Sequence, residues 1–273
     1  MSNSIRTSET QPIRRSNLVQ RQFYALYEED LPETVILNER KYRHVQTFKY
    51  DFFAGTGLYE LSDPVGLFSQ AVPLLIVVKI YRYRRFFGLP MSWLGIISVR
   101  HEGRLYQLLG DIPGVPRFEG FIGRTGFAHE YIFGRGLRRR DLLNDYFFDR
   151  LRDTLRAIHE RGASYIDLHK MSNIILGDDQ KPYLIDFQIS YAPRNQWPIV
   201  RKISNIILRH FQNEDWYHYL KHKRRLRRDL LTQDDYEKSC EPSRINTMHK
   251  FMSKPYLRIR RFFLDLLHLE TSE

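Results

Sequence analysis

The segment Tyr165-Ile-Asp167-Leu-His169-Lys-Met-Ser-Asn173-Ile-Ile-Leu, continued by Tyr183-Leu-Ile-Asp186-Phe187-Gln188, constrains the fold more than any other stretch of this chain. Two apolar runs, Ile174-Ile175-Leu176 and Tyr183-Leu184-Ile185, flank Gly177-Asp178-Asp179, the pattern of two short strands around a turn. Asn173 precedes the first run and Asp186 follows the second, 13 residues on, so a hairpin sets both at its mouth. Taken singly, Asp and Asn are ordinary turn-formers, because their side chains bond nearby backbone. Their combination with Asp167 and with a cation far upstream argues for chemistry.

That cation is Lys79, at the end of Leu74-Leu75-Ile76-Val77-Val78, where a buried strand aims one charge into a site. A lysine so placed needs a carboxylate to hold it. Glu102, 23 residues on, is the candidate. It lies in a stretch whose Leu94, Ile97, Leu105 and Leu108 recur at helical spacing, with Pro90 near the start and Gly110 after the end.

Together these residues resemble the H-R-D-L-x-x-x-N and D-F-G pair and the V-A-I-K strand of the protein-kinase superfamily. The resemblance covers roughly residues 45 to 225 and implies an α+β, two-lobed protein-kinase-like fold. It comprises a small N-lobe of antiparallel sheet and one helix (21–130), a mostly helical C-lobe (131–273) with basic C-terminal helices, and a basic tail ahead of both (1–20). It also implies an ATP-dependent phosphotransferase, because an alcohol attacking a phosphoryl group needs positioning and charge neutralisation more than a covalent intermediate. On this resemblance Asp167 orients the acceptor hydroxyl and takes its proton, Asn173 and Asp186 supply oxygen ligands to Mg²⁺, and Lys79, steadied by Glu102, pairs with ATP phosphates. Gly55 and Gly57 in Phe52-Phe53-Ala54-Gly55-Thr56-Gly57-Leu58-Tyr59 offer amides to the phosphates, although a third glycine is missing and a plain hairpin turn fits as well. Gly126-Phe127-Ala128-His129-Glu130-Tyr131-Ile132 is similar to the hinge that meets adenine, assigning Glu130 and Ile132 to the cofactor by order along the chain.

The departures from the pattern carry information. Asp167 and Asn173 are six positions apart where the motif has five, so one residue must bulge, and His169 or Lys170 takes the place of the phosphate-steadying lysine. Tyr165 and Ile166 replace His-Arg, Gln188 replaces the D-F-G glycine, and no A-P-E follows. Such a plan resembles the compact bacterial branch, above all the lipopolysaccharide kinases that act on Kdo or heptose sugars, and the RIO-like enzymes. A sugar of lipopolysaccharide or a related glycolipid is the implied acceptor. A reduced Ser/Thr protein kinase, or a silent pseudokinase binding a membrane surface, are the alternatives.

Beyond the motif, Phe147, Leu151, Leu155 and Ile158 predict a helix that ends at Arg161-Gly162. Val200, Ile203, Ile207 and Phe211 predict another, and a basic one begins at Trp216. His159 and His169 lack partners at metal-ligand spacing and read as structural. The chain, 273 residues with a net charge of +11, concentrates Lys221, Lys223, Arg224, Arg225, Arg227 and Arg228 in one run. This run is either a solvated face or an attractor of polyanions, such as an anionic membrane surface or glycolipid. Nucleic acid is disfavoured because no binding motif accompanies the charge. Leu257, Ile259, Phe262, Phe263, Leu266 and Leu267, mixed with arginines, predict a basic amphipathic helix. One cysteine, Cys240, and the lack of a long apolar run point to a cytoplasmic protein, peripheral on the inner face of the membrane at most. The oligomeric state leaves no mark in the sequence.

Overall fold

The computed structural model describes residues 24–28, 30–62, 73–193 and 197–240. The expected N-terminal tail and the C-terminal amphipathic helix lie outside these residues. The protein is α+β, with a curled antiparallel sheet first and helices later. The strands are β1 (Thr34–Leu37), β2 (Arg40–Tyr50), β3 (Ala54–Leu61), β4 (Leu75–Tyr81), β5 (Phe118–Ile122) and β6 (Gly126–Glu130). Their order across the sheet is β1-β2-β3-β4-β6-β5, and every pairing is antiparallel. Helix α1 (Ser92–Leu109) connects β4 to β5 and lies against the sheet.

Side chains alternate across a strand, so β4 serves two layers. Ile76, Val78 and Ile80 pack on one face with Leu26, Leu31, Tyr42 and Tyr59. Tyr81 turns to the other face, with Val99, Leu105, Tyr106 and Phe127. Lys79, two residues before Tyr81, shares its side and looks toward α1. That helix forms where the spacing predicts it, but Ile97 is exposed and the buried face carries Gly95, Val99, Glu102, Gly103 and Tyr106. The reason is close approach: a Cβ on Gly95 would fall 2.2 Å from Arg82 O. Glu102 is thereby pressed inward to 1 % exposure.

Strand β7 (Gly134–Gly136) and the hairpin β8 (Ile174–Gly177) and β9 (Pro182–Leu184) make a second, three-stranded sheet, with Ile174 opposite Leu184. Helix α2 (Phe147–Glu160) buries Phe147, Phe148, Leu151, Leu155 and Ile158, as its stripe predicts. The two helices expected after Asp186 are one, α3 (Pro198–Leu226), followed by the short α4 (Gln233–Cys240). Pro198 opens α3, and neither glycine nor proline interrupts it. Val200, Ile203 and Ile207 are not its packed face: they are exposed, and Ser204, Leu208, Asp215, Tyr219 and His222 are buried instead. No helix among the described residues is long and apolar enough to cross a membrane.

Candidate active site

The pieces that the sequence scatters over a hundred positions meet between the first sheet and the β8–β9 hairpin. Lys79 Nζ lies 2.8 Å from Glu102 Oε2 and 2.8 Å from Asp186 Oδ1, binding α1 to the segment that follows β9. The Tyr81 hydroxyl donates to Glu102 Oε2, and the Lys79 ammonium lies over the Tyr81 ring at 5.2 Å. Burial works against charge here, yet Glu102, Tyr81 and Asp186 outweigh it and hold the lysine well above its ordinary range. Burial likewise opposes ionisation of Asp186, and Lys79, with Lys170 and Lys49 behind it, overcomes this and lowers its carboxyl. Glu102, the most enclosed of the three, is raised by burial and pulled back by Lys79.

Asp186 adopts φ 63, a left-handed conformation rare outside glycine and Asn/Asp. Its N–H donates to the Tyr106 hydroxyl at 3.2 Å, while Phe187 is wedged edge-on between Tyr106 and Tyr165, at 5.0 and 5.1 Å. The aromatic slot fixes the turn that the D-F-Q sequence could not fix alone.

Below, the six-residue spacing from Asp167 to Asn173 resolves into two consecutive 3₁₀ turns, Asp167–His169 and Met171–Asn173, with extended Lys170 between them. The extra residue is absorbed there, and Asn173 still reaches Asp167: its Nδ2 donates to Oδ2 at 2.8 Å. Lys170 Nζ donates to the same oxygen at 2.7 Å. Asp167 Oδ1 is buried and has no hydrogen-bond partner, although His169 Nδ1 stands 3.1 Å away.

The turn is strained at Ile166, a β-branched residue at φ 65. Asp215 of α3, fully buried, restrains it by accepting from Tyr165 N–H at 2.8 Å, Ile166 N–H at 2.7 Å and His159 Nε2 at 2.9 Å. His222 Nε2 donates to Leu168 O at 2.6 Å. Sequence reasoning missed Asp215, Tyr81 and Tyr106. Tyr81 was legible, since it repeats Lys79 at the strand period. Asp215 continues the helical row of Leu208, Tyr219 and His222, a row that hydropathy does not mark.

Gly55 and Gly57 do not form the expected phosphate-facing turn. They lie inside β3, opposite Tyr50 and Thr47 on one side and Ile80 and Val78 on the other. The turn is Asp51-Phe52-Phe53, closed by Asp51 Oδ1, which accepts from the N–H groups of Phe53 and Ala54 at 2.8 and 3.0 Å. The glycines instead admit Leu31, whose methyl carbons lie 2.8 and 2.6 Å from where their Cβ atoms would be.

At the end of β6, Glu130 is occupied. Its N–H donates to Arg117 O, its carboxylate accepts from Arg117 N–H, and its carbonyl accepts from His129 Nδ1 at 2.8 Å. His129 stacks on Tyr106 with ring centroids 4.9 Å apart, and burial lowers it to about 4, so it is neutral. Ile132 forms no backbone–backbone hydrogen bond among the described residues, which leaves its N–H and C=O for another partner.

The donor set suits a hard cation bound jointly with phosphates. Asn173 keeps its amide oxygen because its nitrogen serves Asp167, and Asp186 keeps Oδ2 because Lys79 takes Oδ1. Among the described residues no group of three or more His, Cys, Asp or Glu side chains could hold a metal unaided. One carboxylate and one amide would suit Mg²⁺ only if most of its ligands came from elsewhere. No protein-family profile and no curated protein sequence matches the chain.

Proposed function

We propose that this chain is an ATP- and Mg²⁺-dependent phosphotransferase of two-lobed, protein-kinase-like build. It transfers the γ-phosphate to a hydroxyl acceptor, a sugar of lipopolysaccharide or a related glycolipid. The observation that carries this reading is the convergence on Lys79 of Glu102 from α1 and Asp186 from beyond β9, beside an Asp167–Asn173 pair. The sheet order, with its single helix between β4 and β5, supports the same build.

In this reading Asp167 Oδ1 accepts the proton of the acceptor hydroxyl, while Lys170 and Asn173 fix the carboxylate through Oδ2. The hydroxyl oxygen bonds to the γ-phosphorus as the bond to the β–γ bridging oxygen breaks, and ADP leaves. Lys79 stands against the phosphates, with its charge secured by Glu102. Asn173 and Asp186 would hold Mg²⁺, which would supply neutralisation of phosphate charge. A small hydroxyl compound suits the site better than a peptide, because only 11 residues separate Asp186 from Pro198. Part of that link is tied down by paired backbone bonds between Ser164 and Tyr191.

Purified protein with Mg·ATP, offered sugars and lipopolysaccharide in one panel and peptides in another, tests the reading. Transfer to the first panel is expected, together with thermal stabilisation by Mg·ATP that Lys79→Met removes. Absence of both nucleotide stabilisation and transfer overturns it.

A further inference from the structure

The basic run at the end of α3 and just beyond it is divided by what its members touch. Arg227 is engaged by Asp145, Asp229 and Leu143 O, Arg224 reaches Cys240 Sγ, and Arg228 covers the Tyr236 ring. Another set, His218, Lys221, His222 and Arg225, recurs at i, i+3, i+4 and i+7, which is a single helix face. That face meets the catalytic turn. His222 bonds Leu168 O, and the His218 ring lies 5.9 Å from the ring of His169, itself 3.1 Å from the open oxygen of Asp167. From His218 to Arg225 the helix rises about 10 Å, the reach of a phosphorylated mono- or disaccharide.

Among the described residues neither His218 nor Lys221 nor Arg225 has an acidic partner, and Lys221 instead lies over the Tyr217 ring at 5.5 Å. Burial first, then its basic neighbours His169, His222, Lys221 and Arg225, lowers His218 to about 3, so it is neutral, as His222 is. His222 Nδ1 is buried without a partner. Lys221 and Arg225 supply the positive charge of this face, and an anion entering beside them relieves their mutual repulsion.

We propose that this face is the acceptor's anion subsite: the acceptor carries a phosphomonoester that binds Lys221 and Arg225 while its hydroxyl meets Asp167. The proposal rests on the phosphotransferase reading and narrows its substrate class to phosphorylated hydroxyl compounds. The phosphate is either that of a soluble sugar phosphate or that of a lipid headgroup.

Glucose 6-phosphate against glucose, and phosphatidic acid vesicles against phosphatidylcholine vesicles, are the probes, with and without saturating Mg·AMP-PNP. Binding is followed through the histidine ring NMR signals and by calorimetry. Phosphomonoester binding that persists beside the nucleotide and shifts the His169 and His218 signals is expected. Lys221→Ala/Arg225→Ala is expected to weaken it by about tenfold or more. Lys221→Arg/Arg225→Lys is expected to restore it, and affinity for Mg·AMP-PNP is expected to stay unchanged in both variants. Response to glucose 6-phosphate alone assigns a soluble acceptor, and response to phosphatidic acid alone a lipid one. Phosphomonoester binding that is absent, or equal in the alanine double variant, overturns the subsite even where the nucleotide binds well. Failure of Mg·AMP-PNP to bind any form instead overturns the phosphotransferase reading, and with it the acceptor role.

Discussion

Asp215, on α3 beneath the Tyr165–Asp167 turn, has both oxygens filled, Oδ2 by Tyr165 N–H and His159 and Oδ1 by Ile166 N–H. Asp167, on the turn itself, has Oδ2 filled by Lys170 and Asn173 and Oδ1 buried without a hydrogen bond. Both carboxylates are buried, within 2 % exposure. A buried polar atom left unsatisfied costs about 1–3 kcal/mol, so it persists only where something other than stability maintains it. The saturated carboxylate holds a strained turn in place, and the open one is the proton acceptor of the proposed phosphotransferase. The contrast sorts the buried charges here into builders and actors.

Asp167→Asn tests that sorting with the largest effect. The amide keeps the volume and gives up the proton acceptor, so transfer is expected to fall by about 10²–10⁴-fold. The unfolding free energy should move by about 1 kcal/mol or less, since Lys170 and His169, the basic neighbours of this carboxylate, are both partly exposed. Steady-state rates and urea denaturation on the same samples check both halves. A stability loss as large as the loss in rate would erase the distinction.

Asp215→Ala should give the opposite signature. It strands two buried N–H donors and the His159 side chain, and a loss of about 3–5 kcal/mol in urea denaturation is expected. Ile166, at φ 65, then has nothing to hold it there. Asp215→Asn retains one acceptor oxygen and should fall in between.

A third test uses pH, because His222 supports the same turn through Leu168 O and is buried neutral. Burial first, against the opposing bond to Leu168, lowers it to about 4. The unfolded chain takes up this proton near 6.5, the folded chain only near 4. Stability is therefore whole above 6.5, falls as pH drops through that window, and levels off below about 4. The full loss is about 3 kcal/mol. Denaturation at pH 7.5 and pH 5 reads the slope, to which His129 and His218 also contribute, and His222→Asn should remove one histidine's share of it. Asp186, with its carboxyl lowered, stays ionised across this window.

Gly57→Ala separates packing from phosphate binding. The added methyl meets Leu31 Cδ1 at 2.6 Å and Gln46 O at 2.9 Å, overpacking expected to remove about 1–3 kcal/mol of stability. Mg·ATP affinity, measured well below the melting temperature, should hold. A selective loss of nucleotide affinity would return the glycine to the role its motif suggests.

Asp215 and Gly57 also show what was legible beforehand. Lys79, Glu102, Asn173 and Asp186 could be found because strand and helix periods aim them, and the hairpin between Asn173 and Asp186 followed from its turn residues. Glu102 needed only to be on the right helix. The place of the glycines inside β3 was not legible, because the β2–β3 turn is decided by one Asp51 oxygen capping two amides. Asp215 was hidden for a related reason. The packed face of α3 is lined by Ser204, Asp215 and His222, of which Asp215 and His222 bond a turn about 50 residues away in sequence, and the apolar Val200, Ile203 and Ile207 mark its exposed side.

Tyr81→Phe is expected to have the smallest effect and to sharpen the sorting most finely. Tyr81 neither touches Asp167 nor anchors the turn; its hydroxyl donates to Glu102 Oε2, which also receives Lys79 at 2.8 Å. The phenyl ring keeps the 1 % exposed volume, so only the hydrogen bond is lost, about 1 kcal/mol with Lys79 still in place. Glu102, already raised by burial, then has one fewer donor opposing that rise, and its grip on Lys79 loosens. The expected outcome is a KM for Mg·ATP raised a few-fold, with kcat little changed. Removal of Asp167's carboxylate should do the reverse. A kcat collapse in Tyr81→Phe would move this hydroxyl from the builders to the actors, and the boundary drawn through Lys79 with it.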